Sequence, residues 1–293
     1  MIEPALEAVR ARAPLGVEVL PIDESLDLGT VDFLVPSSDP PQVLARLPTL
    51  SRLAVVQVLS AGTDWIEHLI PPQATLCSAR GARDGPVAEW VMGALLGVTS
   101  QLLACARLDT WTDRGVVDLG GWTVVIVGMG SIGRRVREHL SGFGTEVIGV
   151  ASRARDDLHG VDELDVLLPR ADAVVLLTPL TDATHGLISQ ARLALMRDGA
   201  VLVNAARGQV VDTQALVTEV TKGRLRAVLD VTDPEPLPDG HPLWRAAGVL
   251  SITPHVAGDS PAGHAAAAAL AADQLARWCA GEKLHNVVRV GSG

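Results

Sequence analysis

His255 lies directly after a proline at the end of an apolar run, in the stretch SITPHVAGD. A histidine there can pack, bind a metal ion or transfer protons, so its role depends on its partners. Two other polar segments also follow apolar runs: VNAARGQVVD contains Arg207, and LDVTDPEPLP contains Asp230, Asp233 and Glu235. A carboxylate beside a histidine favours the protonated ring, and a guanidinium binds a carboxylate through two parallel hydrogen bonds. Together these groups are suited to proton transfer on a substrate that carries a carboxylate.

These segments can meet only if their apolar runs are strands of one parallel sheet, because open α/β sheets bind ligands at the carboxyl ends of their strands. The structural alternative is a surface ion-pair group, which is common for arginine with aspartate or glutamate. One such residue would favour that alternative. Three of them favour a functional site, because the chain also contains the glycine-rich stretch GMGSIG, which is typical of nucleotide-binding turns.

The chain has the alternation of short β-branched runs and helical stretches that is typical of a parallel α/β sheet. In the first third the runs are GVEVL, VDFLV, LAVVQVL and ATLCSA; from residue 123 they are TVVIVG, EVIGVA, AVVLLT, AVLVNAA, RAVLDV and GVLSIT. The later six suffice for one dinucleotide-binding sheet. One long helix is predicted over 84–107, and a last helix over 260–282 with Ser260 as N-cap and Pro261 in its first turn.

The stretch GMGSIG lies between an apolar strand and a helix. Gly128 permits the tight turn, Gly130 lets the backbone approach a pyrophosphate, and Gly133 allows close packing of helix and strand. The start of the helix, with Ser131 and Ile132, offers N–H donors and a positive dipole to phosphates. Glycine-rich turns also have purely structural uses, but the strand–turn–helix context favours dinucleotide binding.

The strand EVIGVA ends where the adenosine ribose of a bound dinucleotide would lie. An NAD site usually has an acidic residue there, whereas this chain has Ser152 and Arg153. NADP(H) is therefore predicted to be preferred over NAD(H). In the alternative interpretation Arg153 is solvated and the slightly displaced Asp156 or Asp157 takes the place of the acid.

Composition limits the other classes of partner. The chain of 293 residues has a net charge of −10 and scattered basic residues, which argues against a nucleic-acid or anionic-membrane surface. Its start lacks the pattern of a signal peptide, and no apolar run approaches the length of a membrane span. Cys77, Cys105 and Cys279 are too few and too widely spaced for a disulfide framework or a zinc site. We expect a cytoplasmic protein without a metal site.

The chain resembles the D-isomer-specific 2-hydroxyacid dehydrogenases, of the glyoxylate/hydroxypyruvate reductase type, over nearly its whole length. The matching stretches are LSAGTDWIE, GPVAEWVMGALL, GGWTVVIVGMGSIGRRV, TPLTDATHGLI, VNAARGQVVD, LDVTDPEPLPDGHPLW and ITPHVAG. The resemblance implies a Rossmann dinucleotide-binding domain, residues 94–264. It also implies a smaller flavodoxin-like substrate domain built from both termini, residues 1–93 and 265–293.

The resemblance further implies hydride transfer between NAD(P)H and a small 2-oxo or 2-hydroxy acid. Arg207 matches the substrate-binding arginine, Glu235 the catalytic glutamate and His255 the acid/base. Asp233 stands two residues before Glu235, but the family has a glutamate before a proline in the segment after DV, which selects Glu235, followed by Pro236. Substrate contacts are implied at Ala61 and Gly62. Cofactor contacts are implied at Thr178, Pro179, Ala205, His255 and Asp230, the last of them near the nicotinamide carboxamide.

Rival functions share this architecture. The formate dehydrogenases that this chain resembles have glutamine at the position of Glu235, and the phosphite-oxidising members have lysine at the position of Ala61. Glu235 and Ala61 therefore argue against formate and phosphite as substrates. An NAD(P)-sensing, corepressor-like binding protein can retain the same polar set and stays open. The resemblance also implies a homodimer that uses the segment LDTWTDRGVVDLG, in which Trp111 either reaches the neighbouring site or packs.

Overall fold

The computed structural model describes residues 3–22, 26–36, 41–112 and 115–292. The chain divides into two compact units: Met1–Asp84 with Asp259–Gly293, and Gly85–Gly258. In chain order the strands are β1 (Phe33–Leu34), β2 (Val55–Gln57), β3 (Thr75–Cys77), β4 (Thr123–Val127), β5 (Glu146–Ala151), β6 (His159–Gly160), β7 (Ala173–Leu176), β8 (Val201–Asn204), β9 (Arg226–Leu229), β10 (Val249–Ile252) and β11 (Val287–Arg289). The helices are α1 (Glu3–Arg10), α2 (Pro41–Leu44), α3 (Asp84–Thr99), α4 (Leu102–Cys105), α5 (Ser131–Leu140), α6 (Leu164–Leu167), α7 (Gln190–Leu195), α8 (Thr213–Thr221) and α9 (Pro261–Cys279).

The larger unit is built on a parallel sheet with the strand order β10-β9-β8-β7-β4-β5-β6. The first strand of this sheet, β4, lies in its interior, and β5 and β6 follow it toward one edge. The chain then crosses to the other side of β4, where β7 to β10 follow one another toward the opposite edge. The order therefore reverses between β4 and β7. In sheets of this kind the crevice at the carboxyl ends of the strands beside the reversal is the ligand-binding position.

Both faces of this sheet are covered by apolar packing. Alternate residues of β4 enter opposite cores: Val125 and Val127 belong to one hydrophobic cluster, Val124 and Ile126 to the other. This is the consequence of side chains alternating along a strand. It explains why the strands are nearly continuous apolar runs, as parallel sheets buried on both faces require.

The smaller unit has the strand order β1-β2-β3-β11. The first three strands are parallel, and β11, from the C-terminal segment, runs antiparallel to β3. Helices from the two ends of the chain also share a core, in which Val9 of α1 packs with Ala271 and Leu275 of α9. The N-cap of α9 is Ser260, whose hydroxyl accepts a hydrogen bond from the N–H of Gly263 at 3.0 Å.

The predicted fold class is confirmed: a Rossmann unit with a parallel seven-stranded sheet is joined to a second, smaller α/β unit. All six runs predicted from residue 123 onward form strands, and β6 and β11 are additional. The predicted strand GVEVL is wrong. Its Val17 and Val19 pack against the core that contains Val9, and the Val19 carbonyl accepts from Arg10 Nε at 3.2 Å instead of pairing with a strand.

The helix predicted over 84–107 is interrupted. Helix α3 ends at Thr99, and Gln101, with φ of 61°, separates it from α4. The hydroxyl of Thr99 lies 3.2 Å from the carbonyl oxygens of both Leu95 and Leu96. Such bonds from a side chain back to the preceding turn compete with regular helix bonding.

Along the chain, the boundaries between the two units fall at 84/85 and 258/259, close to the first residues of α3 and α9. The family resemblance implied boundaries at 93/94 and 264/265, inside the two helices, and these domain limits stay a prediction. The assignment of substrate binding to the smaller unit stays a prediction. Within the described ranges, none of the helices has the length and apolar character of a membrane-crossing segment.

Candidate active site

His255 and Glu235 form a hydrogen-bonded pair in the larger unit. His255 Nδ1 lies 2.7 Å from Glu235 Oε1. Because an ionised carboxylate only accepts hydrogen bonds, this contact places a proton on Nδ1 and leaves Nε2 as the outward nitrogen of the ring. Both side chains are partly exposed, His255 at 45% and Glu235 at 41%. A ring held at one nitrogen and open at the other has the geometry of a proton donor and acceptor.

The backbone around His255 is fixed by Asp230, which is 3% exposed at the end of β9. Its Oδ1 accepts from Thr253 Oγ1 at 2.6 Å and from the N–H of Val256 at 2.8 Å, and its Oδ2 accepts from the N–H of Ala257 at 3.0 Å. The Asp230 carbonyl accepts from the N–H of His255 at 2.8 Å. These bonds hold His255 at φ of 56°, an unusual conformation for a residue other than glycine.

We expect Asp230→Asn to lower the free energy of unfolding by about 2–3 kcal/mol, because a carboxamide offers one acceptor oxygen and leaves a buried N–H without its partner. Urea denaturation measures this loss. Asp233→Asn is the matched control, since the Asp233 carboxylate makes no hydrogen bond with the described residues. Equal unfolding midpoints for the two variants would contradict the role given to Asp230.

Arg207 follows β8 and is brought beside the segment after β9 by close backbone packing at Gly208. A Cβ atom at Gly208 would lie 2.0 Å from the carbonyl oxygen of Thr232, so only glycine allows this approach. Arg207 itself is extended, and its Nη1 donates to the carbonyl of Ala206 at 2.8 Å. The ends of β8 and β9 are thus joined, and β10 pairs with β9. The sheet therefore brings the strand ends that carry the predicted catalytic residues into adjacent positions.

Two side chains that the sequence analysis gave no role support this arrangement. Asn204, 1% exposed, accepts from the N–H of Ala206 at 3.0 Å and donates to the carbonyl of Arg207 at 3.1 Å. Thr253 donates its hydroxyl to Asp230. A polar residue closing the apolar run VLVN was the available signal for Asn204, because buried polar groups are almost always hydrogen-bonded.

The glycine turn after β4 fits the phosphates of a dinucleotide. A Cβ at Gly128 would lie 2.6 Å from the carbonyl carbon of Leu177, and one at Gly133 would lie 2.3 Å from the Gly128 oxygen. A Cβ at Gly130 would meet nothing within 4 Å, so the approach to the helix is open. Gly130 is the N-cap of α5 and provides no side-chain bond to its first N–H groups, which are available to an anion.

The neighbouring segment after β7 adds an unsatisfied donor. Thr178 Oγ1 is buried and has no hydrogen-bond partner among the described residues, while Pro179 is exposed. The N–H of Ala205 donates to the carbonyl of Leu176 at 3.2 Å, which places the ends of β7 and β8 side by side. An orphaned hydroxyl beside an open glycine turn is consistent with a bound cofactor as its partner.

Ser152 and Arg153 are exposed directly after β5 ends at Ala151. Neither has a hydrogen-bond or ion-pair partner among the described residues. Of the competing acids, Asp157 forms an ion pair with Arg137 of α5 at 2.5 Å, and the hydrogen bond from Arg137 lowers the pKa of its carboxyl. Asp156 has φ of 51° at the tip of this loop.

Ala61 and Gly62 belong to the smaller unit, in a turn after β2. Ser60 donates its hydroxyl to the Gly62 carbonyl at 2.6 Å and accepts from Trp65 Nε1 at 3.2 Å. In the described part of the chain, the N–H groups of Ala61 and Gly62 donate to no other group. Two free backbone donors in one turn are suited to bind an anionic group.

The comparison with known families decides the assignment. Residues 92–257 match the model described as D-isomer specific 2-hydroxyacid dehydrogenase, NAD binding domain. The chain belongs to this family. Its members oxidise 2-hydroxy acids or reduce 2-oxo acids with a nicotinamide cofactor, and the fold and the glycine turn of this chain agree with that chemistry.

Several relatives resemble this chain over most of its length. A glyoxylate reductase from Thermofilum pendens is 33% identical over 252 residues, which are 79% of this chain and 73% of the relative. The crystal structure of a family member from Xanthobacter autotrophicus, in complex with NADPH and MES, has a TM-score of 0.84 at 28% identity and covers 99% of this chain and 95% of that one. The NADPH-dependent glyoxylate/hydroxypyruvate reductase from Sinorhizobium meliloti, in complex with NADP and sulfate, has a TM-score of 0.83 at 29% identity, with 98% and 95% covered.

Proposed function

We propose that this chain is a 2-oxoacid reductase and D-2-hydroxyacid dehydrogenase in which His255 is the acid/base, Glu235 orients it and Arg207 binds the substrate. The observation that supports this most strongly is the 2.7 Å pair of His255 Nδ1 and Glu235 Oε1. It lies at the carboxyl edge of the same sheet that carries the glycine turn. A surface ion pair elsewhere would carry no such implication.

In the proposed reduction, the carbonyl carbon of the 2-oxo acid gains a hydride and its oxygen gains a proton, which yields a hydroxyl group. When bound, the nicotinamide supplies the hydride. His255 gives the proton from Nε2 and takes it back in the opposite direction. Glu235 holds Nδ1–H throughout and stabilises the positive charge that the ring carries before the transfer.

In this proposal Arg207 binds the substrate carboxylate, while the contact of the Ala61 and Gly62 N–H groups with the substrate stays a prediction from the family resemblance. The planar guanidinium can form two parallel bonds to one carboxylate, and it polarises the adjacent carbonyl. The small substrates in the names of the relatives, glyoxylate and hydroxypyruvate, support a small 2-oxo acid here. Asp230 next to the nicotinamide carboxamide stays a prediction, since both of its oxygens already accept bonds from the turn at His255.

NADP(H) is the proposed cofactor, in preference to NAD(H). Arg153 can form a charge-assisted hydrogen bond to a 2′-phosphate, and Ser152 can donate its hydroxyl. In the loop that follows Ser152 and Arg153, the charge of the Asp157 carboxylate is offset by its ion pair with Arg137. The bound NADPH and NADP in the two related structures support the same preference.

We expect the native enzyme to have a kcat/KM for NADPH about 10- to 150-fold above that for NADH, since a charge-assisted hydrogen bond contributes about 1.5–3 kcal/mol. Arg153→Ala should remove most of this ratio by raising the KM for NADPH. Initial rates with both cofactors measure it. A native ratio below one, or an unchanged ratio in Arg153→Ala, would contradict the assignment of this strand end.

We also propose that the enzyme is a cytoplasmic homodimer. The segment between α3 and β4 exposes several large apolar side chains, at Leu102, Trp111, Val116 and Val117. Large apolar side chains exposed within one segment of the chain are compatible with a protein–protein contact surface. A second copy of this chain is the proposed partner, alongside the small 2-oxo acid substrate.

The function is tested by turnover. Purified protein is mixed with NADPH or NADH and a panel of small 2-oxo acids, and cofactor oxidation is followed by absorbance. We expect turnover with at least one small 2-oxo acid. Cofactor binding without turnover on any of them would favour the nucleotide-sensing alternative.

A further inference from the structure

The loop after β5 is fastened to helix α5 by one ion pair. Arg137, in the second turn of α5, contacts Asp157 at 2.5 Å. The loop is closed on itself by two backbone bonds between Arg155 and Leu158, of 3.1 and 2.8 Å. It begins with Ser152 and Arg153, the residues proposed to face the adenosine ribose. The position of the Asp157 carboxylate therefore matters for the same group of the cofactor.

A carboxylate that is released from its ion pair and reaches the ribose 2′-position would act in two ways. It would repel the dianionic 2′-phosphate of NADP(H), and it would accept hydrogen bonds from a free ribose hydroxyl or from Arg153. While Asp157 is paired with Arg137, the guanidinium largely offsets the negative charge of its carboxylate. The hydrogen bond from Arg137 keeps Asp157 ionised, as the lowered pKa of its carboxyl indicates, so protonation does not remove its charge.

We infer that the Arg137–Asp157 ion pair is a determinant of cofactor choice, in which Arg137 keeps the Asp157 carboxylate away from the ribose 2′-position. This inference rests on the proposed NADP(H) preference and adds a residue that contributes to it without contacting the cofactor. Arg137 and Asp157 are thus positioning residues. Their side chains are 39% and 62% exposed, so replacing them is compatible with a folded unit.

The test is a double-mutant cycle on the preference for NADPH over NADH, measured both as the ratio of the two kcat/KM values and, without turnover, as the ratio of the two dissociation constants from fluorescence titration. Four proteins are compared: the native chain, Arg137→Gln, Asp157→Asn and the double variant. Arg137→Gln should lower the ratio about fivefold, which is at the upper end of the effect of an exposed ion pair. In the Asp157→Asn background the same substitution should change the ratio by less than about twofold, because no carboxylate is released.

The chain offers a matched control in Arg170 and Glu146. This pair has a distance of 3.1 Å and side chains that are 59% and 55% exposed, but Glu146 is the first residue of β5, at the opposite end of the strand from the loop. Arg170→Gln should leave the cofactor ratio unchanged. The comparison separates a local effect on the ribose position from a general loss of surface charge.

Each outcome of the cycle supports or overturns the inference. An Arg137→Gln effect that is equally large with and without the Asp157 carboxylate means that Arg137 contacts the phosphate itself, which overturns the inference. No effect in either background also overturns it. Failure of the proposed cofactor preference is seen separately, as a native ratio below one. In that case, a further fall in Arg137→Gln that disappears in the double variant would still support the role of the pair.

Discussion

Replacement of His255 by asparagine is expected to lower kcat by about 100- to 10,000-fold, the usual contribution of a positioned acid/base group. Asparagine keeps a polar side chain of similar reach but cannot release and regain a proton at neutral pH. The dissociation constant of NADPH should change by less than about twofold, because the glycine turn after β4 is untouched. Steady-state kinetics and fluorescence titration of the cofactor measure the two quantities.

His159 provides a control for this substitution within the same unit. Its Nδ1 also contacts a glutamate oxygen, in Glu163 at 2.9 Å, and its side chain is 42% exposed. It lies on the edge strand β6, away from the strands that carry Arg207, Glu235 and His255. His159→Asn should therefore leave kcat within about twofold of the native value. An undiminished kcat in His255→Asn would remove the acid/base role.

Arg207→Lys should reduce kcat/KM for the 2-oxo acid by about 10- to 150-fold, although the positive charge is kept. A lysine ammonium cannot form two parallel bonds to a carboxylate, and the loss of one charge-assisted hydrogen bond corresponds to about 1.5–3 kcal/mol. The cofactor KM should stay close to the native value. Substrate saturation curves at fixed NADPH measure the effect.

Arg192→Lys is the corresponding control, because Arg192 also uses its guanidinium to bind a carboxylate in this unit. Its Nε donates to Asp165 at 2.6 Å, on helices outside the strand ends that carry the proposed site. A similar loss in both variants would attribute the Arg207 effect to general destabilisation. A change of less than about twofold in Arg207→Lys would remove this arginine from the substrate site.

The sequence was sufficient for those features that depend on local pattern. Apolar runs of four to six residues followed by turns predicted the strands β4 to β10 except the short β6. The tight turn was predicted at Gly128, where φ is 109°. Because parallel strands end at one edge, the segments carrying Arg207, Glu235 and His255 were expected to lie together. The contact of His255 with Glu235 is in agreement with that expectation.

Other features depend on contacts between segments distant in sequence, and no local pattern reveals them. Asp230 holds the turn of residues 253–257 through bonds that span 23 to 27 residues. The Arg137–Asp157 pair joins a helix to the loop after the next strand. The loss of the GVEVL strand likewise follows from tertiary packing, since Val17 and Val19 pack against the core shared by α1 and α9.

Transfer of the cofactor hydrogen to the substrate is the most direct test of the central claim. The enzyme is incubated with NADPH deuterated at both C4 positions and a small 2-oxo acid, and the 2-hydroxy acid is analysed by mass spectrometry and chiral chromatography. We expect the native enzyme to form a D-2-hydroxy acid with one deuterium at C2. His255→Asn should form the same product at least about 100-fold more slowly. Absence of labelled product from every 2-oxo acid, with NADPH still bound, would contradict the central claim.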